Sequence, residues 1–154
     1  MIVFADSSIL VEHVKGAQID FIPFYARQGV TLHINSTVVS ELLFHIVAIR
    51  SNKSPLTVKR TSRIPSYLNE DEAATFLDQF SVLPTTGEIT KTVPGLMVKH
   101  NLLPNDAIIL ATCLHHSVPY LASYDVGDFA AACASEGVTL ISDAKEASKH
   151  FPAE

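Results

Sequence analysis

Five short apolar runs, none longer than six residues, recur along this chain of 154 residues, and stretches of helical spacing separate them. That alternation constrains the fold more than any other feature. Ile2–Ala5, Val30–Ile34, Phe80–Leu83, residues 118–123 and Gly137–Ile141 read as strands, because strands covered by helices on both faces appear as brief apolar runs. Helical stretches start at Ser7 or Ser8, at Asp20, and at Asn35, Ser36 or Thr37, the last running to about Ser51. Others span Asn69–Gln79, Thr86–His100 with a break or kink at Pro94-Gly95, the run opened by Pro104-Asn105-Asp106, Phe129–Ser135, and Asp143–Phe151. Parallel strands joined by helices make right-handed crossovers, so the order predicts an α/β fold with a mostly parallel sheet between helices.

The length and the absence of internal repeats predict one domain over residues 1–154. With 47% hydrophobic and 18% charged residues the chain can build a core without disulfides or metals. Residues 50–67, RSNKSPLTVKRTSRIPSY, are basic, polar and carry two prolines, and read as a loop. Cys113 and Cys133 lack CxxC spacing and sit in apolar stretches, which suits small core residues in a reducing compartment. The N-terminal stretch has no basic region and carries Asp6 among its apolar residues, unlike a signal peptide. No run approaches the roughly 18 apolar residues of a membrane span. The expectation is a cytoplasmic protein without a membrane partner. A net charge of −5 does not announce a nucleic-acid binder.

The acids are more informative. Asp6 follows the first strand directly, Asp106 opens the helix before the fourth strand, and Asp125 lies just past that strand. Singly, each has an ordinary reading: Asp6 or Asp106 as a helix cap or first-turn acid, Asp125 as a turn residue. Glu41 is harder to place as a solvated side chain, because its neighbours, VVSELLFHIV, are almost all apolar. On a helix it shares a stripe with Val38 and His45. A helix that apolar is expected to be buried, and a buried carboxylate demands a cation, a hydrogen-bond network or a metal. In a parallel sheet the strand ends after Asp6 and before Asp125 share one rim, and Asp106 reaches it from its helix start. Carboxylates converging without basic partners repel one another, which is reasonable where a divalent cation binds. All-oxygen donors suit Mg²⁺ or Mn²⁺, and such an ion can activate water against a phosphoryl group.

Other chemistries lack their signatures. There is no GxGxxG or P-loop motif, no zinc spacing among the seven histidines, and no Gly-x-Ser-x-Gly elbow around Ser7 or Ser8. One of those serines reads as a cap with a hydrogen bond toward the acids. A phosphoacceptor receiver domain wants an adjacent acidic pair after the first strand, and an Asp-x-Asp phosphatase an acid two residues on. Ser7-Ser8 supply neither.

The order VFADSSIL, NSTVVSELL, LPNDAIILATCL, LASYDVGDF resembles the PIN-domain ribonucleases, most of all the VapC-type toxins of toxin–antitoxin modules. The resemblance covers nearly the whole chain. It implies a five-stranded parallel sheet in the order 3-2-1-4-5, with Asp6, Glu41, Asp106 and Asp125 as the acidic quartet. It implies metal binding by Asp6, Asp106 and Asp125, with Asp128 a further acid that either ligates or caps the helix at Phe129. Ser123 matches a small hydroxyl residue near the metal, and Glu41 either ligates or orients the attacking water. It also implies Mg²⁺- or Mn²⁺-dependent cleavage of RNA, homodimerisation, and a small antitoxin that blocks the site. Lys59, Arg60 and Arg63, in a stretch from Arg50 to Arg63 that no acid interrupts, are candidates for contacting RNA. A non-catalytic RNA-binding or assembly factor on the same fold is the competing reading, and four intact acids count against it.

Overall fold

In the computed structural model, which describes residues 1–151, strands β1 (Ile2–Ala5), β2 (Thr31–Ile34), β3 (Ser81–Val82), β4 (Tyr120–Ala122) and β5 (Thr139–Ile141) form one sheet in the order β3-β2-β1-β4-β5. All four pairings are parallel. The predicted topology is the observed one, and each strand after the first is shorter than its apolar run. β1 lies in the middle, with Phe4 opposite His33 on one side and Leu121 on the other. Val3, Phe4 and Ala5 are fully buried, as the centre of a helix-covered sheet requires.

Ten helices among the described residues flank the sheet. Helix α1 (Ser7–Val14) starts at the end of β1, and its cap is Asp6 itself rather than a serine: the Asp6 carboxylate accepts from the Ser8 amide. α2 (Phe21–Arg27) leads to β2. Asn35 then caps α3 (Ser36–Ser51), accepting from the Val38 amide at 3.1 Å. α6 (Glu70–Leu77) carries three acids in its first turn, where the helix dipole favours them.

The stretch 50–67 is not a loop. It forms α4 (Pro55–Arg60) and α5 (Ile64–Tyr67), separated by Ser62 at a φ of 56°. Both prolines stand in first turns, where a missing N–H costs nothing, so they start helices here. Val58, 1% exposed, anchors α4 to the core. Nor does Pro94 break its helix: α7 (Gly87–His100) runs through it unbroken. Pro94 is exposed while Val93 and Leu96 are buried, so the carbonyl that loses its partner lies on the solvent side.

α7 packs along α8 (Pro104–His115), which returns the chain to β4. α9 (Val126–Glu136) follows, and α10 (Ala144–His150) follows β5. α9 begins three residues earlier than expected, which puts Asp128 inside its first turn instead of at its cap. Cys113 and Cys133 are buried free thiols, and burial pushes the Cys133 thiol up to about 11. No helix among the described residues is long and apolar enough to cross a membrane.

Candidate active site

The C-terminal ends of β1 and β4 lie side by side, and the Asp6 amide donates to the Ala122 carbonyl at 2.9 Å. Open α/β sheets place their sites at such strand ends. Asp6 is 2% exposed and Ser123 fully buried. Three donors converge on one carboxylate oxygen, Asp6 Oδ2: the Ser8 hydroxyl at 2.7 Å, the Ser123 hydroxyl at 2.8 Å and the Ser8 amide at 3.4 Å. The same hydroxyls accept from the next turn of chain, Ser8 Oγ from the Tyr124 amide and Ser123 Oγ from the Asp125 amide, both at 3.0 Å. Two serines therefore lock β1 to the β4–α9 turn and hold Asp6 in one orientation.

Helix starts bring in the other acids. Asp106 lies in the first turn of α8, Asp125 at the cap position of α9 without a side-chain capping bond, and Asp128 in the first turn of α9. A carboxylate gains from each of these positive helix ends. Glu41 reaches the rim from the second turn of α3. Its carboxylate accepts a hydrogen bond from Asn105 Nδ2 at 2.7 Å. The premise that α3 is buried does not hold, because Phe44 is 56% and Ile49 40% exposed and Glu41 itself is half-buried. The compensation expected of Glu41 nevertheless exists, as a neutral amide from α8.

The acids feel one another. Burial first, and then the charges of Asp6, Asp128, Glu41 and Asp125, push the Asp106 carboxyl up to about 6. Partial burial, Asp6 and Asp128 also raise Asp125, with a smaller contribution from Glu41. All five acids singled out from the sequence thus converge, and no ion pair joins any of them to a Lys, Arg or His among the described residues. Among those residues no three Asp, Glu, His or Cys side chains form a ready-made metal cage. The site is an open rim of hard oxygen donors. Mg²⁺ keeps several of its waters and is commonly held by one or two carboxylates, so the donor set fits it.

The structure does not bring Lys59, Arg60 and Arg63 into contact with these acids. Lys59 and Arg60 end α4, Arg63 follows with its guanidinium 5.9 Å from the Tyr67 ring centre, and all three are exposed without ion pairs among the described residues. Sequence reasoning passed over Asn105, although it directly precedes Asp106 in LPNDA. It named Asn35 only as a possible helix start and passed over its partner Thr112. Asn35 Nδ2 donates to Thr112 Oγ1 at 2.9 Å, a buried bond that ties the start of α3 to α8.

Comparison with known proteins agrees with this fold. The model of the PIN domain matches residues 3–142. Ribonuclease VapC2 of Methanocaldococcus jannaschii is 30% identical over 125 residues, which cover 80% of this chain and 84% of the relative. Ribonuclease VapC6 of the same organism is 30% identical over 134 residues, 80% of this chain and 88% of the relative. Among solved structures, VapBC2 from Rickettsia felis, bound to a promoter DNA fragment, superposes with a TM-score of 0.64 at 16% identity, over 92% of this chain and 98% of that one.

Proposed function

This chain belongs to the PIN-domain family, and we propose that it is a metal-dependent endoribonuclease, the toxin of a toxin–antitoxin pair. The observation that carries the reading is the convergence of five carboxylates on one rim without a basic partner among the described residues; burial first, and then the other four charges, raise the Asp106 carboxyl there. Such repulsion is tolerated where a cation is the missing partner. Relatives named as ribonucleases support RNA as the substrate.

Asp6, Asp106, Asp125 and Asp128 would hold Mg²⁺ or Mn²⁺. When bound, such an ion offsets their charge, acidifies a water and stabilises charge on a phosphoryl oxygen. The protein's own part is orientation. The three bonds from Ser8 and Ser123 all fall on Oδ2, so a fixed network sets the orientation of the Asp6 carboxylate. Asn105 likewise holds Oε1 of Glu41, which leaves Oε2 to accept from a water. Ser123, bonded to Asp6 and to the Asp125 amide, sets the spacing between those two acids. Lys59, Arg60 and Arg63 supply cations for the RNA backbone that the acidic rim itself repels.

Structural neighbours that include VapBC2 and a toxin–antitoxin complex from Klebsiella pneumoniae support a small antitoxin as the partner. A homodimer acting in the cytoplasm is part of the same reading. The test is incubation of the purified protein with single-stranded RNA and Mn²⁺. Internal cleavage that stops on chelation is expected, and RNA left intact by a folded, antitoxin-free preparation would refute the activity.

A further inference from the structure

A cleft of about 260 Å³ opens beside the acidic rim, and Asp125 belongs to its wall. Ser7, Ser8, Glu12, Lys15 and His45 supply the rest of its polar lining. A cavity of roughly 150 Å³ already admits benzene, so a planar heterocycle fits. Lys15 donates to Glu12 at 2.8 Å, so these charges are paired with each other. With Asp125 adding a negative edge, the lining disfavours a phosphate. It offers donors and acceptors together: the Ser7 hydroxyl, the Lys15 ammonium and the Glu12 carboxylate.

His45 stands four residues beyond Glu41 and Phe44 three, so both share the helix face that carries the acid. One helical turn is about 5.4 Å. The two rings meet edge to face, 5.9 Å between centres at 86°. Both are exposed, Phe44 by 56%. An accessible ring that walls a mixed donor–acceptor cleft, next to a site for cutting a phosphodiester, suits an unpaired base. Aromatic side chains bind single strands by stacking bases in this way.

We propose that this cleft is a nucleoside subsite, in which the base of the nucleotide flanking the scissile phosphate stacks on His45, buttressed by Phe44, with its edge read by Ser7, Glu12 and Lys15. The inference rests on the ribonuclease reading and names its substrate as single-stranded RNA. It differs in kind from the basic residues of α4, which would grip phosphates.

The test measures binding of fluorescent single-stranded RNA with Ca²⁺ in place of Mn²⁺, alongside cleavage by the wild type in Mn²⁺. His45→Ala weakens binding by about tenfold, Phe44→Ala by less, and His45→Phe, which keeps a ring, binds like the wild type. The salt dependence keeps its slope, because every phosphate keeps its cation. In a series of RNAs carrying one abasic nucleotide at successive positions around the cut, one position abolishes the difference between wild type and His45→Ala. Equal binding by His45→Ala overturns the inference, as does a weakening that persists on every abasic RNA or a flattened salt slope. A change of oligomeric state in His45→Ala on gel filtration also overturns it, by assigning the rings to a protein interface. Failure of the wild type to cleave RNA refutes the ribonuclease reading instead, so the two failures are distinguishable.

Discussion

The two ends of α9 treat carboxylates in opposite ways. At its start, Asp125 and Asp128 occupy the end of a helix that favours negative charge, yet the Asp125 carboxyl is raised. At its last residue, Glu136 sits where the dipole opposes a carboxylate, yet its carboxyl is lowered. Partners explain the reversal. Lys99 Nζ stands 2.6 Å and His100 Nε2 2.7 Å from the same Glu136 oxygen, whereas at the start of the helix partial burial and the other acids act together. A helix end contributes about 0.3–1 kcal/mol at a surface, and immediate partners outweigh it. An acid that serves the fold is given cations by the chain. The acids at the other end are given hydroxyls, an amide and one another.

The largest expected effect tests the unpartnered end. Asp6→Asn should lower Mn²⁺-dependent RNA cleavage by on the order of a hundredfold or more, while the metal-free protein melts no lower, because one of several repelling charges has gone. A gel assay on nuclease-free protein reads the first and a thermal melt the second. Near-normal cleavage would remove Asp6 from the site.

Next, Mn²⁺ should raise the melting temperature in a dose-dependent way. A ligand specific to the folded state adds about 2.7 kcal/mol at a hundredfold excess over Kd. For a domain of this size that corresponds to roughly 5–10 °C. Glu136→Gln should leave this rise intact and Asp106→Asn should blunt it. A melt unchanged by millimolar Mn²⁺ in the wild type would remove the reason offered for leaving the acids unpaired.

The cations absent from the rim must act elsewhere if RNA is to approach it. Replacing Lys59, Arg60 and Arg63 with Ala should weaken single-stranded RNA binding across sequences. The slope of affinity against salt should flatten by about 0.7 for each phosphate left without its cation. Unchanged affinity and slope in a salt titration would exclude α4 as a phosphate-binding element.

The smallest effect concerns pH. Asp106 has its folded carboxyl raised from 3.8 to about 6. Its contribution to stability is therefore full below the unfolded value and is lost as pH rises through 6. Glu136 has its carboxyl lowered from 4.5, so its contribution is present above that value and disappears as pH falls below it. Denaturant melts of metal-free Asp106→Asn should lack the loss of stability between about pH 4 and 6 that the wild type shows. Glu136→Gln should cost about 0.5–1 kcal/mol at neutral pH, and nothing once the pH is well below 4. Parallel pH profiles for both variants and the wild type would mean that the two ends do not differ electrostatically.

Much of this was legible in the chain itself, for reasons that can be named. A strand buried on both faces leaves an apolar run whatever surrounds it, so the parallel sheet could be read, and Asp6 and Asp125 followed from its rim; the order of the strands came only from the family resemblance. Prolines were ambiguous. Pro55, Pro65 and Pro94 read as interruptions, but two of them stand in helix first turns and the third faces solvent, where its cost is small. The partners of the acids were the least visible. Asn105 meets Glu41 across 64 residues and Ser123 meets Asp6 across 117. Periodicity reports which face a residue occupies, not which distant side chain will be opposite it. The need to compensate Glu41 was inferred from a burial that α3 does not have, and the amide that meets it had to be seen.

The hydrogen bond from Ser123 to Asp6 carries a consequence for the chain during its synthesis. Asp6 is made 117 residues before the serine that orients it, and before all of β4. At roughly 5–20 residues per second, the gap is on the order of ten seconds. Throughout it β1 lacks one of its two neighbours, Asp106 arrives only late in the interval, and Asp125 follows Ser123 by two residues. A nascent chain therefore carries no assembled acidic rim during that interval. A message broken before the codon for Ser123 yields a fragment without the centre, so any nuclease activity belongs only to chains completed beyond that point.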